Sequence, residues 1–174
     1  MRVLENLEPK EVFSYFEDIC SIPHGSGNTQ QISDYCVNFA KEHGLKYRQE
    51  ECGNVIIWKD ATPGYEQAPT VILQGHMDMV AVKEADCTLD LEKDGLLLEI
   101  DGDWVQAKGT SLGADDGIAV AYALTILAAD DIPHPTLEAV FTVGEEVGLT
   151  GATALDASDL TGKILMNMDS ENEG

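Results

Sequence analysis

Apolar residues recur along this chain with two periods. After Pro9, the residues Val12, Phe13, Phe16, Ile19 and Cys20 fall on one face of KEVFSYFEDIC, which predicts an amphipathic helix. SIPHGSGN interrupts the pattern with proline and glycine. A second stripe, Ile32, Tyr35, Cys36, Phe39 and Ala40, predicts a helix over residues 29–43 that Gly44 stops. The period then shortens. LKYRQEE and NVIIWKD flank Cys52 and Gly53 and predict a hairpin. GLLLEIDGDWVQAKG turns at Asp101 and Gly102 and predicts another. Three runs, APTVILQGHM, TLEAVFTVGEE and GKILMNMDSE, are apolar almost throughout and suit strands covered on both faces. DGIAVAYALTILAAD is apolar nearly all round and predicts an interior helix.

Strands alternating with helices predict an α/β fold, a three-layer sandwich with a largely parallel central sheet. In open sheets of that kind ligands gather beyond the carboxyl ends of the strands. The three apolar runs end in His76 and Asp78, in Glu145 and Glu146, and in Asp169, while SLGADDG sets Asp115 and Asp116 just ahead of the interior helix. Taken singly, each has a plain structural explanation. An isolated His-x-Asp is commonly structural, paired aspartates before a helix commonly cap it, and paired glutamates after a strand commonly sit in a solvated turn. Their recurrence in order, each after an apolar strand, is what points to a site. Carboxylates brought close together resist joint ionisation unless some stay protonated or cations neutralise them. Imidazole nitrogen combined with carboxylate oxygen suits zinc, manganese or cobalt better than calcium.

Composition narrows the picture. A chain of 174 residues, 44% of them hydrophobic, suits one globular domain. Against 10 basic residues stand 32 acidic ones, a net charge of −22. Such a surface repels phosphate backbones and anionic bilayers, so neither nucleic acid nor membrane is expected as a partner. Cys20, Cys36, Cys52 and Cys87 form no C-x-x-C pair and are expected as free thiols of a reducing compartment. The first ten residues carry charges and no signal-like apolar core, and the apolar run near 118–129 is shorter than the ~20 residues a bilayer requires. A soluble cytoplasmic protein is the expectation.

GHMDMV, GTSLGADDGIAVA, TVGEEVGLTGA and MNMDSE occur in the order found in the di-zinc metallopeptidases related to carboxypeptidase G, aminoacylase and peptidase T. With SIPHGSGN and GADDGIA, the chain resembles above all the aminoacyl-histidine dipeptidases, also called Xaa-His dipeptidases or peptidase D. The resemblance runs from about residue 9 to the end. It implies metal-dependent hydrolysis of small peptides ending in histidine, by a water activated between two divalent ions, most often zinc. It implies that His76 ligates one metal, with Asp78 behind it orienting the imidazole. Asp115 would bridge both metals, its peptide bond to Asp116 being cis. Glu145 would be the general base, Glu146 would ligate the second metal, and Asp169 would complete the first.

Two departures stand out. The family's second metal needs a histidine from far toward the C-terminus, and His24, His43 and His134 lie outside any matching motif. Family members also carry an inserted lid or dimerisation domain followed by the rest of the catalytic sheet. Residues 1–174 are therefore expected to form the N-terminal segment of a single catalytic domain, inactive or nearly so alone. Full-length relatives would form homodimers through the absent domain. The alternatives are a non-catalytic metal-binding fragment and an amidohydrolase of the same family acting on N-acyl amino acids.

Overall fold

The computed structural model describes residues 2–169. Its elements follow in the order α1 (Lys10–Cys20), α2 (Gln30–Glu42), β1 (Lys46–Gln49), β2 (Val55–Lys59), β3 (Val71–His76), β4 (Leu98–Asp101), β5 (Trp104–Ala107), α3 (Ala114–Ala128), β6 (Leu137–Thr142), α4 (Thr150–Ala154) and β7 (Ile164–Asn167). The two N-terminal helices bury the stripes read from their spacing: Val12, Phe16, Ile19 and Cys20 on α1, and Ile32, Cys36, Phe39 and Ala40 on α2. Both hairpins form, β1 with β2 and β4 with β5.

Five strands make the main sheet, in the order β1-β2-β6-β3-β7. β6, β3 and β7 run parallel, whereas β2 is antiparallel to β6 and β1 to β2. The sheet is thus mixed, with its parallel half on the side of the candidate site. Leu73 pairs with Ala139 and His76 with Thr142, so β3 and β6 finish level with each other. The residues that follow them emerge at one rim.

Side chains alternate across a strand. Val55 and Ile57, Leu73, and Leu137, Ala139 and Phe141 all join the core that α1, α2 and α3 cover. α3 is wedged between α1 and the sheet, contacting β3 directly, which explains why it is apolar nearly all round. The opposite face is thinly covered. There Ile72, Gln74, Val140 and Leu165 meet Leu149 and Leu160 around an open groove of about 250 Å³. Within this face Glu138 is 1% exposed. Its carboxylate accepts bonds from the Thr161 N–H (2.9 Å), the Thr161 hydroxyl (2.8 Å) and the Gly162 N–H (2.9 Å), tying the approach to β7 onto β6.

β7 corrects the expectation of a strand buried on both faces: all four of its residues are exposed. Among the described residues it is an edge strand that pairs with β3 alone, and little lies over it. The short helix α4, five residues without an apolar stripe, was not anticipated from the sequence either. Cys20, Cys36, Cys52 and Cys87 are all free, and burial pushes the Cys20 and Cys36 thiols up to about 12. Among the described residues, no helix is long and apolar enough to cross a membrane.

Candidate metal centre

β3 ends in Gly75 and His76 against the start of α3. A Cβ on Gly75 would lie 2.8 Å from Asp116 Oδ2 and 3.2 Å from the Ala119 Cβ, so only glycine lets the helix come this close. The approach brings Asp116 Oδ2 within 3.2 Å of the His76 N–H, which donates to it. It also sets the preceding Asp115 over the imidazole. The Asp115–Asp116 peptide is cis, the isomer that the family resemblance implies.

The His76 ring is fixed at both nitrogens. Nδ1–H donates to the Asp78 main-chain carbonyl at 2.9 Å, and the Asp78 carboxylate stands 3.6 Å from the same nitrogen. Nε2 is thereby aimed at Asp115 Oδ1, 3.2 Å away, with Glu145 Oε2 at 3.9 Å. His76 and Asp78 are each 1% exposed, whereas the Asp115 side chain is 67% exposed and that of Glu145 30%. The floor of the site is dry and its mouth is wet. One ligand atom each from His76, Asp115 and Glu146 lie within 4.8 Å of one another. Asp169 follows β7, is exposed and falls outside that group, but its charge reaches Asp116.

The electrostatics follow from this packing. Burial opposes charge on His76, yet the Asp78 carboxylate and the Asp116 charge outweigh it and raise the imidazole to about 9. Burial likewise opposes charge on Asp78, but bonds from His76, Ser26 and the Glu145 N–H hold it down at about 2. Asp116 is raised to about 7, chiefly by burial, with Asp169 and Asp115 adding repulsion against the pull of His76. Glu146 is raised by burial and by the neighbouring Asp115. A single imidazole thus faces a surplus of carboxylates, a charge imbalance that divalent cations would relieve. The donor set of one imidazole nitrogen and carboxylate oxygens, with the ring's second nitrogen already bonded, fits zinc or a similar ion.

The remaining histidines lie elsewhere. His43 caps the end of α2 and packs on Phe39, with ring centroids 4.4 Å apart. His134 and His24 are buried, each holding a main-chain carbonyl through Nδ1. Among the described residues no second histidine joins the His76–Asp115–Glu146 group. Two contacts at the site carry no signal in residue spacing: Asp116 on the His76 N–H, and Ser26, whose hydroxyl donates to Asp78 Oδ2 at 2.7 Å. SIPHGSGN flagged the second segment without disclosing its target.

Over all 174 residues the chain is 44% identical to the cytosol non-specific dipeptidase of Escherichia coli strain K12, of which it spans 36%. The crystal structure of aminoacylhistidine dipeptidase from Vibrio alginolyticus superposes on 98% of the chain with a TM-score of 0.95 at 46% identity, using 35% of that protein. Aminopeptidase PepT from Bacillus cereus ATCC 10987 superposes on 95% of it with a TM-score of 0.77 at 25% identity, using 44% of that protein. No family model matches the chain. The chain therefore spans about a third of the length of the dipeptidases it matches over its whole extent.

Proposed function

Because the chain belongs to the aminoacyl-histidine dipeptidase family, we propose that it carries the metal-binding and proton-transferring part of a dipeptidase active site. The reading rests on one observation above all: beside the carboxyl ends of β3 and β6, one ligand atom each from His76, Asp115 and Glu146 lie within 4.8 Å of one another. In this reading His76, Asp115, Glu146 and Asp169 hold two divalent ions, most readily zinc, with cobalt or manganese as substitutes. When bound, such ions supply Lewis acidity, which lowers the pKa of a water and polarises a peptide carbonyl.

The chain's own groups do the rest. Asp78 fixes the ring so that Nε2 presents its lone pair to the site. Glu145 takes the proton of the attacking water on its carboxylate and passes it to the leaving amine. Its main-chain N–H is tied to Asp78 Oδ1 at 3.1 Å, which holds this base in register with His76. The substrate class is small dipeptides, with a C-terminal histidine preferred. The name of the Vibrio relative favours that preference, and the name of the E. coli relative favours a wider range around it. Residues 1–174 are the N-terminal segment of the catalytic domain, and substrate-binding groups and dimer contacts come from the remainder of a longer cytoplasmic enzyme.

The test is a zinc-binding and turnover assay. The 174-residue chain is expected to bind zinc, to lose it in His76→Ala, and to hydrolyse Xaa-His dipeptides slowly or not at all. In a full-length enzyme carrying this segment, Glu145→Ala lowers turnover by roughly 10²–10⁴-fold while bound zinc stays constant. Zinc loss in step with activity would remove Glu145 from its role, and efficient Xaa-His hydrolysis by the isolated chain would contradict its incompleteness.

A further inference from the structure

We propose that Ser26 is a positioning residue of the metal centre, acting through Asp78; the inference rests on the reading of His76 as a metal ligand. The Asp78 carboxylate divides its two oxygens between two tasks. Oδ1 accepts the Glu145 N–H at 3.1 Å and stands 3.6 Å from His76 Nδ1. Oδ2 accepts the Ser26 hydroxyl at 2.7 Å. The terminal torsion of an aspartate is soft. With Oδ2 held, Oδ1 is kept on the ring and on the main chain of the base. Released, the carboxylate turns, and no solvent is at hand to replace the bond because Asp78 is 1% exposed.

The segment that carries Ser26 is built against the strand exit. The Met79 N–H donates to the His24 carbonyl at 3.1 Å, and the Ser26 N–H donates to the Met79 carbonyl at 3.1 Å. Gly25 and Met79 thereby form a parallel bridge. A Cβ on Gly25 would sit 2.8 Å from the Ala81 Cβ, so glycine is what admits the close approach. Beside it, His24 Nδ1–H holds the Ile22 carbonyl at 2.6 Å and fixes the turn from α1. Pro23, His24, Gly25 and Ser26 thus form a clamp that reaches Asp78 from a part of the chain 52 residues away. The hydroxyl also lies 3.3 Å from the Met79 carbonyl, a contact that would serve loop closure alone. The two roles part company in metal binding: loop closure affects stability alone, whereas positioning also changes Co²⁺ affinity and the spectrum of the bound ion in protein that remains folded.

The experiment titrates the chain with Co²⁺ and follows affinity and the visible d–d spectrum, for wild type, Ser26→Ala, Ser26→Thr and Ser26→Val. Threonine and valine share one shape and differ by the hydroxyl, so their comparison stands even where alanine disturbs the loop. Ser26→Val and Ser26→Ala are expected to bind Co²⁺ several-fold and at most about tenfold more weakly, the low end of the scale for partners behind a metal ligand because Ser26 acts through Asp78, with an altered spectrum. Ser26→Thr is expected to stay close to wild type in Co²⁺ affinity and spectrum, whereas Ser26→Val also lowers the metal-free melting temperature by a few degrees, because Asp78 Oδ2 is left buried without its donor. Equal Co²⁺ affinity of those two variants overturns the proposal, as does weaker binding with an unaltered d–d spectrum. A wild-type chain that takes up no Co²⁺, or a His76→Ala variant that binds as wild type does, overturns the metal centre itself and this inference with it.

Discussion

β3 and β7 deliver side chains to the same rim under opposite conditions. β3 lies between β6 and β7, and His76 at its end and Asp78 just beyond it are buried and hydrogen-bonded. Among the described residues β7 has one neighbour, its four residues are exposed, and so is Asp169 beyond it. One flank of the site is preorganised by its own packing, held to a narrow geometry before any metal arrives. The other is held by four paired positions along β3 and by the Glu138 tether, and it gains little from burial. Order at this candidate site therefore follows the burial of the strand behind each residue, not the chemistry of the residue at its tip.

Metal binding should report this asymmetry most strongly. His76→Ala is expected to weaken zinc binding by more than about 100-fold, beyond the range for groups behind a ligand. Asp169→Asn is expected to cost about tenfold or less, because its carboxylate is exposed and outside the closest donor group. Equal losses by equilibrium dialysis would remove the contrast.

Packing offers a second comparison, since Leu73 on β3 sits opposite Met166 on β7. Leu73 is 3% exposed and Met166 51%. Leu73→Ala is expected to cost about 2–5 kcal/mol in urea unfolding, and Met166→Ala about 0.5 kcal/mol or less. A large cost at Met166 would show that β7 is packed after all. Glu138→Ala probes the tether. It leaves two main-chain N–H groups without their acceptor, worth roughly 1–3 kcal/mol. Faster amide exchange is expected in β7 while β3 stays protected, and uniform acceleration would argue against a local tether.

Stability should also depend on pH. In the metal-free protein Asp116 is raised to about 7 and His76 to about 9, both above their unfolded values. The folded chain then holds these protons more tightly than the unfolded chain does, and stability falls as pH rises. Asp116 contributes this loss between about pH 4 and 7, and His76 between about 6.5 and 9. Asp78, depressed to about 2, acts in the opposite sense, but only below about pH 4. Melting temperature should fall by roughly ten degrees or more from pH 5 to 9, since the two shifts span several pH units at about 1.4 kcal/mol each and a chain of this size loses about 2–4 °C per kcal/mol. Zinc should reverse the trend, since binding displaces a proton and strengthens with pH. A metal-free melting temperature that climbs across this range would contradict the assignment.

Periodicity in the sequence suffices for α1, α2, α3, both hairpins and the buried β6, because their apolar residues fall at the spacing each element demands. It misleads at β7. An apolar run reads the same whether the covering layer lies in the described residues or not. α4 left no trace because five residues make too little of a stripe. At the rim, the order of His76, Asp115, Glu146 and Asp169 after successive elements was legible, since strand ends are where such residues gather. The bonds that orient them were not. Ser26 to Asp78 spans 52 residues and Asp116 to the His76 N–H spans 40, distances at which spacing says nothing about contact.

Zinc K-edge X-ray absorption on the chain loaded with one equivalent of Zn²⁺ addresses the site itself. The expected spectrum has a nitrogen and oxygen shell at about 2.0–2.2 Å with imidazole outer-shell scattering that His76→Ala abolishes. A sulfur shell at about 2.3 Å, placing the ion on thiols such as exposed Cys52, would contradict the centre built on His76, Asp115 and Glu146.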